Sequence, residues 1–168
     1  KIDKTKKIRY IFIGILLVIG WTPYSYAGWK VIALDSARDV RYSSIAIDNN
    51  NNVHISYAID GGGTEKLKYV TNVSGDWVYV TVDNGNRAGL STSIAIDHNN
   101  KVHIAYIETI QWTTRFNLKY ATNASGSWVI TTLESGSVDG SGYFSPSIAI
   151  DGNNKVHISY YDSWNSDL

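Results

Sequence analysis

The chain has 168 residues and equal numbers of bases and acids, 15 of each, but that balance hides two populations. The first 27 residues hold five of the bases and one of the acids, which leaves 10 bases against 14 acids, a net of −4, in the rest. With no basic run beyond the N-terminus a nucleic-acid backbone is excluded as partner, and with no cysteine no disulfide holds the fold in any compartment.

The N-terminal segment reads as a targeting signal. Lys1, Lys4, Lys6, Lys7 and Arg9 precede a twelve-residue apolar run from Tyr10 to Trp21, and Ser25 and Ala27 supply small residues at the −3 and −1 positions of a cleavage site. Twelve residues fall short of the roughly 20 a membrane-spanning helix needs. Residues 1–27 are therefore assigned as a signal peptide, an uncleaved anchor being the alternative, and the protein is expected to be secreted or held at the cell surface. The expected mature chain, 28–168, opens on Trp29-Lys30-Val31-Ile32-Ala33-Leu34, a β-rich run.

From there the sequence repeats. Ser44-Ile45-Ala46-Ile47-Asp48 returns as Ser93 to Asp97 and as Ser147 to Asp151, 49 and then 54 residues on. Each copy is followed by Val-His-Ile-(Ser/Ala)-Tyr, at Val53, Val102 and Val156. Between these copies, Leu67-Lys68-Tyr69 with Trp77 returns as Leu118-Lys119-Tyr120 with Trp128. Each unit thus holds four short runs, a to d, bounded by Asn, Asp, Gly and Ser, the mark of strands joined by turns. Four strands in about 50 residues predict an all-β fold, a β-propeller of four-stranded antiparallel blades. Trp and Tyr, 6 and 12 against 3 Phe, suit blades buried on both faces, where large side chains carry a polar tip to the sheet edge. The assignment is an outer strand and its connection at 28–43, a blade at 44–92, a second at 93–146 and the start of a third at 147–168. That makes an incomplete open arc of fewer than three blades. The sequence also lacks methionine and stops just after a strand b, so a fragment of a longer chain is expected, with the missing blades of that chain as natural partners of its open ends.

Loop lengths divide the two sides of the predicted disc. Strand a to strand b is constant at six residues, and strand c to the Trp of strand d is constant at eight. Strand b to strand c varies from 10 to 12, and strand d to the next strand a runs 16, 17 and 20. Because strands alternate in direction, the variable connections share one side, and variation on a rigid scaffold is how such folds gain specificity. That side carries Arg38, Arg41 and Tyr42, Gly61 to Glu65, Asn84, Asn86, Arg87, Glu108, Gln111, Asp139 and Phe144. The ligand-binding candidates chosen from it are Trp112, Arg115, Tyr143, Asp162 and Trp164, which combine aromatic platforms for sugar C–H faces with planar polar groups for hydroxyls.

Other motifs take structural readings. His54, His103 and His157 recur at one repeat position, so they fall on successive blades, too far apart to share one metal ion. Asp48-x-Asn50-x-Asn52 is shaped like part of a calcium loop, but Lys101 and Lys155 intrude in the later copies and no bidentate Glu follows, so an Asx-type turn is expected. Asn72-Val73-Ser74 and Asn123-Ala124-Ser125 match the glycosylation acceptor pattern and equally the polar composition of a tight c to d turn. Trp77 and Trp128 are assigned to blade packing. No metal, cofactor or catalytic residue is assigned.

The alternation of Ser-x-Ala-Ile-Asp-x-Asn-Asn-Lys-Val-His-Ile-Ser-Tyr-Tyr with Leu-Lys-Tyr-Ala-Thr-Asn resembles the repeats of secreted bacterial and archaeal β-propellers, loosely sialidase-like and fucose-lectin-like. Strands a and b are also similar to NHL repeats. The resemblance covers residues 29–168 and implies the fold. The sialidase Asp box is echoed only by Ser125-Gly126-Ser127-Trp128, without its Asp, and no arginine triad can be matched, so no catalytic residue carries over. Two functions follow as expectations. One is a non-catalytic secreted or surface propeller binding a glycan or an extracellular protein through its variable face. The other is a glycan-active enzyme of sialidase-like type whose catalytic residues lie partly in missing blades.

Overall fold

A computed structural model describes residues 8–13, 29–35, 40–60, 64–85, 87–110, 113–137 and 145–161. All regular structure among these residues is β, in twelve strands. Strands β3 (Val40–Ile47), β4 (Val53–Asp60), β5 (Glu65–Thr71) and β6 (Val78–Asp83) form one four-stranded antiparallel sheet in chain order. Strands β7 (Ala88–Ile96), β8 (Val102–Thr109), β9 (Arg115–Thr122) and β10 (Val129–Ser137) form a second. Strands β11 (Ser147–Ile150) and β12 (Val156–Ser159) pair as the start of a third. The all-β class and the four-stranded antiparallel sheets agree with the sequence expectation. No described helix is long and apolar enough to cross a membrane.

Two of the twelve strands precede the repeats. Strand β2 (Trp29–Asp35) is the run expected to be an outer strand, and it pairs antiparallel with β1 (Ile8–Ile13), which lies inside the segment read as a targeting signal. The rest of 1–27 lies outside the described residues.

Register decides what each face does. Ser56 opposes Tyr69 and Tyr57 opposes Lys68, so neighbouring residues alternate between two buried faces. One face of the first sheet carries Ile55, Tyr57 and Val70, which cluster with Leu34 of β2. The other carries Leu67, Tyr69 and Val82, which pack against Ala88, Ile94, Val102, Ile104, Tyr106 and Ala121 of the second sheet. The far face of the second sheet places Ile107, Phe116 and Leu118 with Tyr160 beyond β12. The sheets therefore stack face to face in chain order, and strands β3, β7 and β11 neighbour one another across the stack. Burial on both faces removes the largest apolar side chains of each central strand from water, the dominant stabilising term in such a stack.

The constant turns hold the stack at one end. Asp48 Oδ1 accepts from the amides of Asn50 and Asn52, both at 2.8 Å, and Asp97 and Asp151 repeat the arrangement. This is the Asx turn the sequence predicted. Asn51, Asn100 and Asn154 take a left-handed backbone in it, at φ 63, 59 and 62. The turns also bond to each other. The amide of Asn49 donates to Asn100 Oδ1 at 3.1 Å and that of His98 to Asn154 Oδ1 at 2.9 Å. In the c to d turns, Asn72 and Asn123 use their side-chain oxygens to accept from Val53 and Val102, at 2.7 and 2.8 Å, so the acceptor-pattern asparagines brace the neighbouring strand. Trp77 and Trp128 pack against the buried clusters but are only half-buried, Trp128 edge-on to Tyr69 with ring centroids 5.3 Å apart.

At the opposite end the ladders break. Register shifts fall between Arg41 and Ser44 and again in β7 between Ala88 and Ser93, where Tyr42 and Ser91 stand at φ 51 and 48. These are bulges at equivalent repeat positions, and bulges re-aim side chains at sheet ends. Gly89 shows why one position there must be glycine. Its φ is +92, and a Cβ would meet the Leu67 backbone at 3.0 Å.

Candidate functional site

Of the five residues singled out by sequence, Trp112, Tyr143, Asp162 and Trp164 lie outside the described residues. Arg115 is exposed at the start of β9. Its carbonyl accepts from Ile110 at 3.0 Å and its amide donates to Thr113 Oγ1 at 3.1 Å, which closes the base of the b to c connection. Other charged residues of the variable side are committed internally. Glu65 is buried beside Arg87, with Nε to Oε2 at 3.6 Å, and Arg41 reaches Asp60 at 3.4 Å. Glu108 accepts from Lys119 Nζ and from Asn117 Nδ2, both at 2.7 Å. Glu65 and Glu108, placed by sequence on the variable side, are thus each held against a cation, Arg87 in the turn before β7 and Lys119 in β9.

The structure adds a constellation that the sequence reading missed. An acid six positions after each Trp of strand d accepts a hydrogen bond from the Tyr of the next strand b. Tyr57 donates to Asp35 Oδ2 at 2.9 Å, Tyr106 donates to Asp83 Oδ2 at 2.6 Å, and Tyr160 donates to Glu134. Each bond crosses from one sheet to the next. Burial first, then the hydrogen bond and charge of the acid, push the Tyr57 and Tyr106 hydroxyls far above the ordinary phenol range, so both remain donors throughout the accessible pH range. The signal was present in the even Trp-to-acid spacing, but strand d otherwise read as packing alone.

The first two of these interfaces then differ. At the second, Lys119 bridges Asp83 at 3.2 Å and Glu108 at 2.7 Å, and Gly85 donates its amide to Asp83 at 2.8 Å. Burial opposes both charges there. The bonds from Tyr106, Gly85 and Lys119 nevertheless hold the Asp83 carboxyl below the usual carboxylate range, and Glu108 and Asp83 hold the Lys119 ammonium above its ordinary value. At the first interface, Ile59 stands at the repeat position of Glu108, and Lys68 turns to Thr81 Oγ1 at 2.6 Å. A shallow, open pocket of about 340 Å³ lies there between Leu34, Asp35, Tyr57, Lys68 and Tyr79. Tyr79 is 46% exposed, so the pocket opens to solvent on its side, and its hydroxyl donates to the Leu34 carbonyl. A carboxylate, an ammonium and two phenols around an apolar wall are the groups that fix a polyhydroxylated ligand. No set of three metal-ligating side chains occurs among the described residues.

The chain matches no protein-family model and no curated protein. Among solved structures it is similar to a fucose lectin from Kordia zhangzhouensis in complex with methyl-fucoside, at 16% identity and a TM-score of 0.47, over 74% of this chain and 86% of that one.

Proposed function

We propose that this chain belongs to an exported, non-catalytic β-propeller that binds glycans. Support for a propeller comes from sheets that follow chain order, bury both faces and neighbour one another through β3, β7 and β11. The observation that carries binding is the broken repeat at the first interface. There Ile59 stands in place of the bridging Glu108, and an open pocket lined by aromatic and polar groups lies beside it. A sugar ring stacks its C–H face on Tyr79 while Asp35 and Lys68 take hydroxyls. On the sequence pattern, the variable connections with Trp112, Arg115, Tyr143, Asp162 and Trp164 supply contacts to further sugar units. Export rests on the basic and apolar pattern of residues 1–27. Cleavage after Ala27 removes β1 and frees the edge of β2, so the exported form is expected to begin at Gly28 by mass spectrometry.

The test is a glycan array with the whole chain and two pairs of substitutions. Lys68→Ala with Tyr79→Ala, or Trp112→Ala with Trp164→Ala, is expected to abolish binding with little change in melting temperature. Loss in the first pair assigns the pocket, and loss in the second assigns the loops. Binding that survives both overturns the proposal.

A further inference from the structure

The connection that leaves β6 carries the one Asn-Gly pair in the sequence, Asn84-Gly85. It follows Asp83, the acid that Tyr106 and Lys119 hold at the second interface. Asn84 is exposed, and among the described residues no hydrogen bond or ion pair engages its side chain. Its neighbour, by contrast, is fixed. The Gly85 amide donates to Asp83 Oδ1 at 2.8 Å, and a Cβ at Gly85 would meet Glu108 Oε1 at 2.7 Å and Asp83 Oδ1 at 3.0 Å. Glu108 has little freedom to give way, because Lys119 and Asn117 both hold it at 2.7 Å. Two crowding carboxylates thus require glycine at this position. Glycine in turn leaves its main-chain nitrogen unshielded next to an amide carbon that nothing else engages.

We infer that Asn84 is a site of spontaneous deamidation and that the reaction loosens the second interface. The Gly85 nitrogen attacks Asn84 Cγ. A bond forms between them, the Cγ–Nδ2 bond breaks, and the proton of the Gly85 amide leaves with Nδ2 as ammonia. Asp83 Oδ1 already accepts from that amide, so it takes the proton from one nitrogen and returns it to the other. Burial notwithstanding, the bonds from Tyr106, Gly85 and Lys119 keep Asp83 ionised for this task. Water then opens the cyclic imide. Breaking the new bond from nitrogen to Cγ leaves an aspartyl residue, and breaking the bond from nitrogen to the main-chain carbonyl leaves an isoaspartyl link. In the second product the main chain runs through the side-chain carbons and is longer by one methylene.

The acid cluster has no room for that methylene. Gly85 sits against Glu108 and Asp83, so a longer chain on its N-terminal side pulls its amide away from Asp83 Oδ1. Either product also adds a carboxylate next to Asp83, where the Lys119 ammonium already serves two acids. The other copies of the repeat lack the reactive group. Asp35 and Glu134, which stand at the position of Asp83, are followed by Ser36 and Ser135, and neither has a side-chain amide.

The test is to incubate the whole chain at mildly alkaline pH and physiological temperature, then to follow peptide masses and labelling by an isoaspartate-specific methyltransferase. Asn84 is expected to convert in the folded protein at a rate within about tenfold of that in the same chain unfolded in urea, because the folded turn leaves the attack open. The isoaspartyl product is expected to outweigh the aspartyl one, and the urea midpoint of the aged protein is expected to fall. Asn84→Gln keeps an exposed amide but would have to close a larger ring. That variant is expected to lose the labelling and to hold its midpoint through the same incubation, with circular dichroism checking that it is folded. An Asn84 that converts only in urea overturns the inference, and so does an aged protein, labelled at Asn84, whose midpoint has not moved. An Asn84→Gln chain whose midpoint falls as far as that of the unaltered protein overturns it equally, since the loss then comes from another residue.

Discussion

Replacing Lys119 with Ala is expected to cost about 3 to 5 kcal/mol of folding stability, the range for breaking a buried ion pair by removing one partner. The Lys119 side chain is 14% exposed, and its ammonium is the shared partner of Asp83 and Glu108, themselves 9% and 14% exposed. Its removal leaves two carboxylates facing each other with little access to water. The first interface provides the control, because there Ile59 stands at the repeat position of Glu108 while Lys68 stands at that of Lys119. Glu108→Ile combined with Lys119→Met rebuilds that apolar arrangement and leaves Asp83 with Tyr106 and Gly85. The double variant is expected to recover more than half of the loss, since a buried ion pair can be replaced by well-packed apolar groups at little net cost. Urea unfolding at neutral pH measures both. A single-variant loss below about 1 kcal/mol would show that the cluster is effectively solvated, and an additive double variant would show that Lys119 and Glu108 do not interact.

The legible part of this protein was the part written as a pattern. Ser-Ile-Ala-Ile-Asp and Val-His-Ile-Ser-Tyr alternate, are bounded by turn residues and recur, so the strands, their order and the constant Asx turns follow from period and composition alone. The bulges at Tyr42 and Ser91 were not legible, because neither residue type announces a left-handed backbone. The inter-sheet acid–tyrosine bonds escaped for a different reason. Asp35 and Tyr57 are 22 residues apart, so their meeting is a product of how sheets stack, which a local reading does not contain. The sequence places Glu65 and Glu108 beside the variable loops but does not contain their ion-pair partners. Lys119 comes from the neighbouring strand β9 and Arg87 from the turn before β7, and only the fold brings them close. The repeated histidines illustrate the middle case. Repetition marked them as structural, while their partners could not be read from the chain.

Those partners make stability depend on pH. His54 Nδ1 lies 2.5 Å from the Tyr69 hydroxyl and Nε2 lies 3.3 Å from Asp48 Oδ2, so the neutral tautomer that serves both contacts carries its proton on Nε2. Burial lowers the His54 value below 6.5, and the hydrogen bond and charge of Asp48 only partly offset it. The unfolded chain therefore takes up a proton that the folded chain refuses. The stabilisation from neutral His54 is complete above about 6.5 and is lost as the pH falls toward the folded value. The acids act in the same direction at lower pH. Burial pushes the Asp48 carboxyl up, but the Asn52 side chain and amide, His54 and the Asn50 amide together bring it below 3.8. Asp97 is lowered by the corresponding bonds from Lys101, Asn99 and His103. Their contribution is present above the unfolded value near 3.8 and disappears as the pH drops through the folded values. Urea midpoints are thus expected to fall in two stages on acidification, one beginning below about 6.5 and a second below about 4. His54→Gln, which keeps a polar group between Asp48 and Tyr69 but cannot titrate, is expected to flatten the first stage and leave the second in place. A midpoint that rises between pH 7 and 5, or a first stage unchanged in the variant, would assign that proton uptake to another group.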